Sequence, residues 1–429
     1  MRKMKKLAPL CMVLVMGLAL FGLAACSSDE ELSFAWWGGD MRAEQTEEVV
    51  ALFEDYSENV TYVETEVHSW GDYWDAMLIR AGAGDLPDVM QQDVGRLVEF
   101  TASDLLVDMR PFIADGRLDF ANIPDMIVNQ GRVPGSDGIY AVPIGMNVIA
   151  MVYNASLLEE LGLAAPRNMT LAQFIELCRE IYALSGVRTN FIGTDPSIQM
   201  EVLLRARGIN LFEGTSMGGA AADYIEYFAL IQQGIEEGWH IRPEHLEGRD
   251  GMEMNAMWYP PGEPNMRAWN SMVWSNMVNG YINDSPADMV INMTTYPSSN
   301  PQVSSFGRAS MFLSMTTHSD NLDEAAEFIS FWMNSVAAHE IMRGERGVIV
   351  NPVVADAVAH LLDEGPRMQT EFVGWTNDGN SSPFNPMRAE GAAEVVAELI
   401  RLTNLVAAGE MSPEDAAEAI FSFGNATLR

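Results

Sequence analysis

The strongest constraint on this chain is a strand and helix alternation between residues 32 and 94. Leu32–Trp37 reads as a strand, and 44–56 as a helix with Val49, Leu52, Phe53 and Tyr56 on one face. A second strand is expected over 60–67, then a helix over 71–81 carrying Tyr73, Trp74 and Met77. A third strand, 88–92, precedes a helix from Val94. Strands separated by helices of this length build parallel sheets through right-handed crossovers, so the expected class is α/β. The pattern resumes with the apolar stretch 145–154. Thr170 and Gln173 have the spacing of a capping box for a helix to Leu184. A strand at 310–314 and a helix over 321–334 follow. Ser412 and Pro413 are placed as the cap and first residue of the last helix. A length of 429 residues fits two or three domains, or two large lobes.

The first residues are different in kind. Arg2, Lys3, Lys5 and Lys6 precede an apolar run from Leu7 to Ala25, which ends at Cys26. A basic start, an apolar core and small residues before a break describe an export signal. The alternative is a membrane-spanning helix, since the run is nearly long enough. Leu23-Ala24-Ala25-Cys26 resembles the lipobox of bacterial lipoproteins, which implies cleavage of residues 1–25 and a diacylglycerol on the Cys26 thiol. Residues 26–31 then form the lipidated cysteine and a short tether. Removing 1–25 takes away four positive charges and no acid, so the net charge moves from −35 to −39 and no lysine remains.

That acidity argues against nucleic acid, which needs a basic surface to displace counterions. It also argues against attachment to anionic lipid through basic patches. Cys178, with Phe174, Ile175 and Ile181 at helical spacing, reads as an unpaired core thiol. No metal is expected, because His339-Glu340 lacks a second histidine at the spacing a helical zinc site needs. No P-loop, nucleophile elbow or dinucleotide fingerprint is found, and no cofactor is expected.

In an open parallel sheet, ligands bind beyond the carboxyl ends of the strands. The loops expected there hold Trp37, Asp40, Arg42, Trp70 and Asp93. Aromatic rings with carboxylate, amide and guanidinium groups suit a neutral polyhydroxylated ligand, whose apolar C–H faces stack on indole. Period-2 alternation puts Trp36 and Trp37 on opposite faces, with Trp37 the exposed one. Trp74 and Trp332 follow helix stripes and are expected in the core, whereas Trp70 is placed in a loop as a ligand platform. Arg42 either contacts ligand or pairs with a carboxylate. Further candidates are Trp258, Trp269, Trp274 and Asn276, with Trp375 in a Gly/Asn loop that is either functional or gap-filling.

Taken in order, several segments resemble a family 1 extracellular solute-binding protein, the sugar-capturing lipoprotein of bacterial ABC importers. They are Phe34-Ala35-Trp36-Trp37-Gly38 through Arg42, Ala83-Gly84-Asp85-Leu86-Pro87-Asp88-Val89, Tyr140-Ala141-Val142-Pro143 and Val152-Tyr153-Asn154. Trp274-Ser275-Asn276, Asp323 to Ile329, and Arg346-Gly347-Val348-Ile349-Val350-Asn351 complete the set. The resemblance implies a two-lobed fold with a mainly parallel sheet in each lobe and a multi-crossing hinge. One lobe would take 27–146 and 292–330, the other 147–291 and 331–429. It places Asn147 at the first crossing, with Trp274 and Asn276 facing the cleft from the second lobe. Where relatives often have a pair of small residues, this chain has Trp269-Asn270, which bears on the pocket's shape, as does the stretch holding Trp258.

The implied function is capture of a carbohydrate for an ABC permease by a non-catalytic monomer, anchored outside the membrane through Cys26. Two rivals stand beside it. One is a carbohydrate-active enzyme using a carboxyl pair such as Asp40 and Asp93. The other keeps the fold and binds a polyamine or other cation, which aromatic rings and carboxylates also favour.

Overall fold

A computed structural model describes residues 30–193, 195–245, 257, 267–382 and 390–429. Its elements begin with strand β1 (Glu30–Trp37), helix α1 (Asp40–Tyr56), β2 (Val60–His68), α2 (Trp70–Ala83), β3 (Val89–Gln92) and α3 (Val94–Ala102). Two short helices, α4 (Arg110–Ala114) and α5 (Asp125–Val128), lead to the long strand β4 (Val142–Asn154). Helices α6 (Ala155–Leu161), α7 (Leu171–Ser185) and α8 (Pro196–Arg205), a small hairpin of β5 (Phe212–Glu213) and β6 (Ser216–Met217), and α9 (Ile225–Glu236) follow. Then come β7 (Asn270–Trp274), α10 (Val278–Asp284), β8 (Ile291–Thr294), α11 (Pro301–Ser304) and β9 (Gly307–Met315). The chain finishes with α12 (Leu322–Asn334), α13 (Val336–Met342), α14 (Pro352–Val358), α15 (Glu364–Asn377), α16 (Ala392–Ala408) and α17 (Pro413–Thr427).

Seven strands form one sheet in the order β2-β1-β3-β9-β4-β7, with β8 also on β4. The expected parallel pairs are found for β1 with β2 and with β3. Every pair made by β9 and β4 is antiparallel, so the second half of the sheet is not the parallel one anticipated. The reason lies in β4. All 13 of its residues are buried, and its apolar run is long enough to serve two layers in succession. Its first half pairs with β9 and its second half with β7 and β8.

Two large cores follow from this split. The first packs Trp36, Phe34, Phe53, Phe328 and Trp332 on one sheet face, and Trp37, Tyr73, Trp74 and Phe100 on the other. The second gathers Phe174, Phe191, Tyr227 and Trp269 with α16 and α17. Cys178 lies in it as expected, and burial pushes its thiol pKa up. A smaller cluster joins β4 and β7 to Tyr281 and Phe372. The chain passes between lobes within β4, between Phe306 and Gly307, and beyond Met342. Phe306 and Tyr296 belong to the second core, while Trp332, Met333 and Met342 belong to the first.

Local signals read from the sequence govern the helix ends. Thr170 and Gln173 form a reciprocal capping box, and Ser412 caps α17 with Pro413 in its first turn. Residues 1–29, with the signal run, Cys26 and most of the tether, lie outside the described residues. Glu30 and Glu31, read as tether, already belong to β1.

Candidate functional site

The carboxyl ends of β1, β2 and β3 bring Trp37, His68 and Gln92 to one edge, where α1, α2 and α3 begin. Gly38 is required there, because a Cβ on it would lie 2.4 Å from the Arg42 side chain. Folded back in this way, Arg42 turns its guanidinium to Glu345. Its Nε and Nη2 donate to that carboxylate at 2.9 and 2.7 Å, and its Nη1 donates to the Trp37 carbonyl at 3.3 Å. Of the two roles open to Arg42, the structure shows the ion pair.

Glu345 also lies 3.8 Å from Nη1 of Arg346. Arg346 is only 3% exposed; its Nη2 donates to Thr46 Oγ1 at 2.5 Å, and its guanidinium lies over the Trp332 ring. Burial, opposed by Glu345 and reinforced by Arg42, brings its pKa down to about 9.

Beside this pair runs a groove of about 540 Å³. Met41, Arg42, Gln45 and the 340–345 turn line it from the first lobe; Asn276, Asn279, Asp363 and Gln369 line it from the second. Arg42 and Asn276, more than two hundred residues apart, are thus brought to one surface. Asn147 lies just beneath, and its Oδ1 accepts from Gln369 Nε2 at 2.9 Å. Glu44, Glu48, Glu340 and Asp363 also face the groove and have no ion-pair partner among the described residues. None of the described residues lining it is aromatic.

Four of the candidate tryptophans, Trp37, Trp70, Trp269 and Trp375, are placed otherwise than expected. Trp37 is 7% exposed, enclosed by Trp70, Tyr73 and Trp74 with ring centres 4.9 to 5.5 Å away. Strand alternation put it opposite Trp36 correctly, but α2 covers that face too. Trp70 opens α2 rather than lying in a loop; it is 51% exposed and edge-on to Trp37. Trp269 is fully buried between Tyr153 and Phe174, and its Nε1 donates to Thr189 Oγ1 at 2.8 Å, so it is core and not cleft. Trp375 lies within α15, not in a loop, stacked on Phe372 and under the Arg167 guanidinium. Trp258 lies outside the described residues.

Trp274 ends β7, half-buried, with Arg308 4.2 Å over its ring and Phe306 edge-on. Asp40 is exposed in the first turn of α1. Asp93 caps α3, its Oδ1 accepting from the Gly95 N–H at 2.7 Å. Gln45, Asn279, Glu345 and Gln369 escaped the sequence reading. Each is an ordinary helix or turn residue with no motif of its own, although Glu345 adjoins the Arg346-Gly347 segment that carried part of the resemblance.

Two α/β lobes linked by three passages of chain, with a polar groove between them, define a hinged solute-binding protein. Residues 48–370 match the bacterial extracellular solute-binding protein family, and the chain belongs to it. Solved structures share the fold at low identity. A family 1 extracellular solute-binding protein from Alicyclobacillus acidocaldarius superposes with a TM-score of 0.73 at 17% identity, over 92% of this chain and 98% of that one. The periplasmic oligogalacturonide binding protein of Yersinia enterocolitica gives 0.72 at 17% identity, covering 92% and 98%. The GacH receptor of Streptomyces glaucescens, solved unliganded and with acarbose, gives 0.71 at 18% identity, covering 93% and 98%. This family is one of binding proteins rather than enzymes. Among the described residues no helix is long and apolar enough to cross a membrane.

Proposed function

We propose that this protein captures a carbohydrate in the interlobe groove and delivers it to the permease of an ABC importer, held at the outer membrane face by lipid on Cys26. The observation that carries the reading is the set of uncharged amides, Asn276, Asn279 and Gln369, that the second lobe presents to a groove walled on its other side by Met41, Arg42 and Gln45. Of the two arginines lining the groove, Arg42 is paired with Glu345, and Arg343 donates from Nε to the Glu340 carbonyl at 3.0 Å. Amides offer both donors and acceptors, as sugar hydroxyls require. A solute bridging both walls favours the closed arrangement by its extra contacts there. Supporting analogy comes from the structural relatives named for oligogalacturonide binding and solved with acarbose. Thermal-shift and calorimetric titration against mono- and oligosaccharides, including maltotriose, digalacturonate and acarbose, tests it. Saturable binding without turnover is expected, and no binding across the panel would end it.

A second reading, a polyamine or other cation, draws on Glu44, Glu48, Glu340 and Asp363 at the groove. Ionic strength separates the two. Cation affinity falls steeply as salt is raised, and affinity for a neutral sugar hardly changes.

A further inference from the structure

Gln369 is a nearly buried amide, 3% exposed, that reaches from α15 to the first passage between the lobes. Its Nε2 donates to Asn147 Oδ1 at 2.9 Å and to Ser275 Oγ at 3.3 Å. That hydroxyl oxygen in turn accepts the Val148 N–H at 3.1 Å. One amide nitrogen thus ties α15 to β4 and to the end of β7.

The consequence lies on the other side of both amides. With Oδ1 held by Gln369, Asn147 has its Nδ2, a donor, left over. With Nε2 occupied, Gln369 has its Oε1, an acceptor, left over. Neither atom has a hydrogen-bond partner among the described residues, and neither is sealed from solvent like the orphaned amide of Gln91. Gln369 lines the groove directly. A sugar hydroxyl accepts and donates at once, so an open donor beside an open acceptor is a matched receptor for it.

We propose that Gln369 is a positioning residue that fixes the polarity of Asn147, so that Asn147 presents a hydrogen-bond donor to the solute while Gln369 supplies the adjacent acceptor. The inference rests on the carbohydrate reading above and deepens it.

Gln369→Glu tests it. As a carboxylate, residue 369 only accepts, so Asn147 must turn its Nδ2 inward and show Oδ1 to the solute. As a neutral acid, it donates again and the original polarity returns. Calorimetric titration with maltotriose and with digalacturonate, from pH 7.5 to 4.5, is run on wild type and Gln369→Glu, with circular dichroism at each pH. The variant is expected to bind the wild type's preferred sugar at least about tenfold more weakly at pH 7.5, equivalent to about 1.4 kcal/mol. Its deficit should shrink on acidification relative to wild type. Equal binding at pH 7.5, or a deficit unchanged at every pH, overturns the proposal, since a purely structural role has no reason to recover with protonation.

Neutron diffraction on crystals of the unliganded wild type decides independently of any variant or ligand. Deuterons on Gln369 Nε2 directed at Asn147 Oδ1 support the assignment, and Asn147 donating to Gln369 Oε1 overturns it. If wild type binds neither sugar, the carbohydrate reading loses its support while the neutron result still settles the amide polarity.

Discussion

Glu345 serves two cations, and only one of them can reach water. Replacing it with alanine leaves Arg42, at 15% side-chain exposure, and Arg346, at 3%, without their carboxylate. Removing one partner of a buried ion pair costs about 3–5 kcal/mol, because the remaining charge stays desolvated. Arg346 keeps the Thr46 hydroxyl and the Trp332 ring face, so a loss near the lower end, about 3 kcal/mol, is expected. Arg42→Ala is the control. It leaves Glu345 still 3.8 Å from Arg346 and partly solvated, so about 1.5 kcal/mol is expected, the lower end for hydrogen bonds to a charged group. Urea unfolding followed by tryptophan fluorescence measures both, and the double variant closes the cycle. The double variant should be little worse than Glu345→Ala alone. Equal losses in the two single variants, or a loss below about 1 kcal/mol for Glu345→Ala, would show that Arg346 does not depend on this carboxylate.

Other consequences are equally direct. Trp269→Ala should destabilise by about 3–5 kcal/mol, as for buried aromatic truncation, while leaving sugar affinity of the folded fraction within twofold in calorimetry. Burial lowers the pKa values of His240 and His339 to about 4, with Arg346 adding to the effect at His339. Unfolded histidine titrates near about 6.5, so the unfolded chain binds more protons between these values. Their contribution is complete above about pH 6.5 and is lost as pH falls toward 4, by up to about 1.4 kcal/mol per unit for each histidine. Urea midpoints at pH 7, 5.5 and 4.5 should therefore decline, and His339→Gln should flatten the slope. Cys26→Ser should release the protein from the membrane fraction into the soluble one, and an unchanged distribution in fractionated cells would end the lipid-anchor reading.

Much of the scaffold was legible because its signals are local. The Thr170 capping box, the Ser412-Pro413 helix start and the apolar stripes holding Trp74 and Trp332 depend only on neighbours a few residues away, and each is found where it was read. The tryptophans were harder. Alternation fixes which face of β1 carries Trp37, but whether that face meets solvent depends on α2, which arrives only after β2. Trp269 has the composition of a ligand platform, and it is core because Phe174, Tyr153 and Thr189 converge on it from other elements.

The sequence by itself determined the α/β class and the helix starts at Thr170 and Ser412. Tertiary structure alone decided that Arg42 is spent on Glu345, 303 residues away, and that Gln369 holds Asn147 across 222 residues. Periodicity reports a side chain's direction within its own element. The partner that waits in that direction is set by how distant elements pack, and for this groove the partners come from opposite ends of the chain.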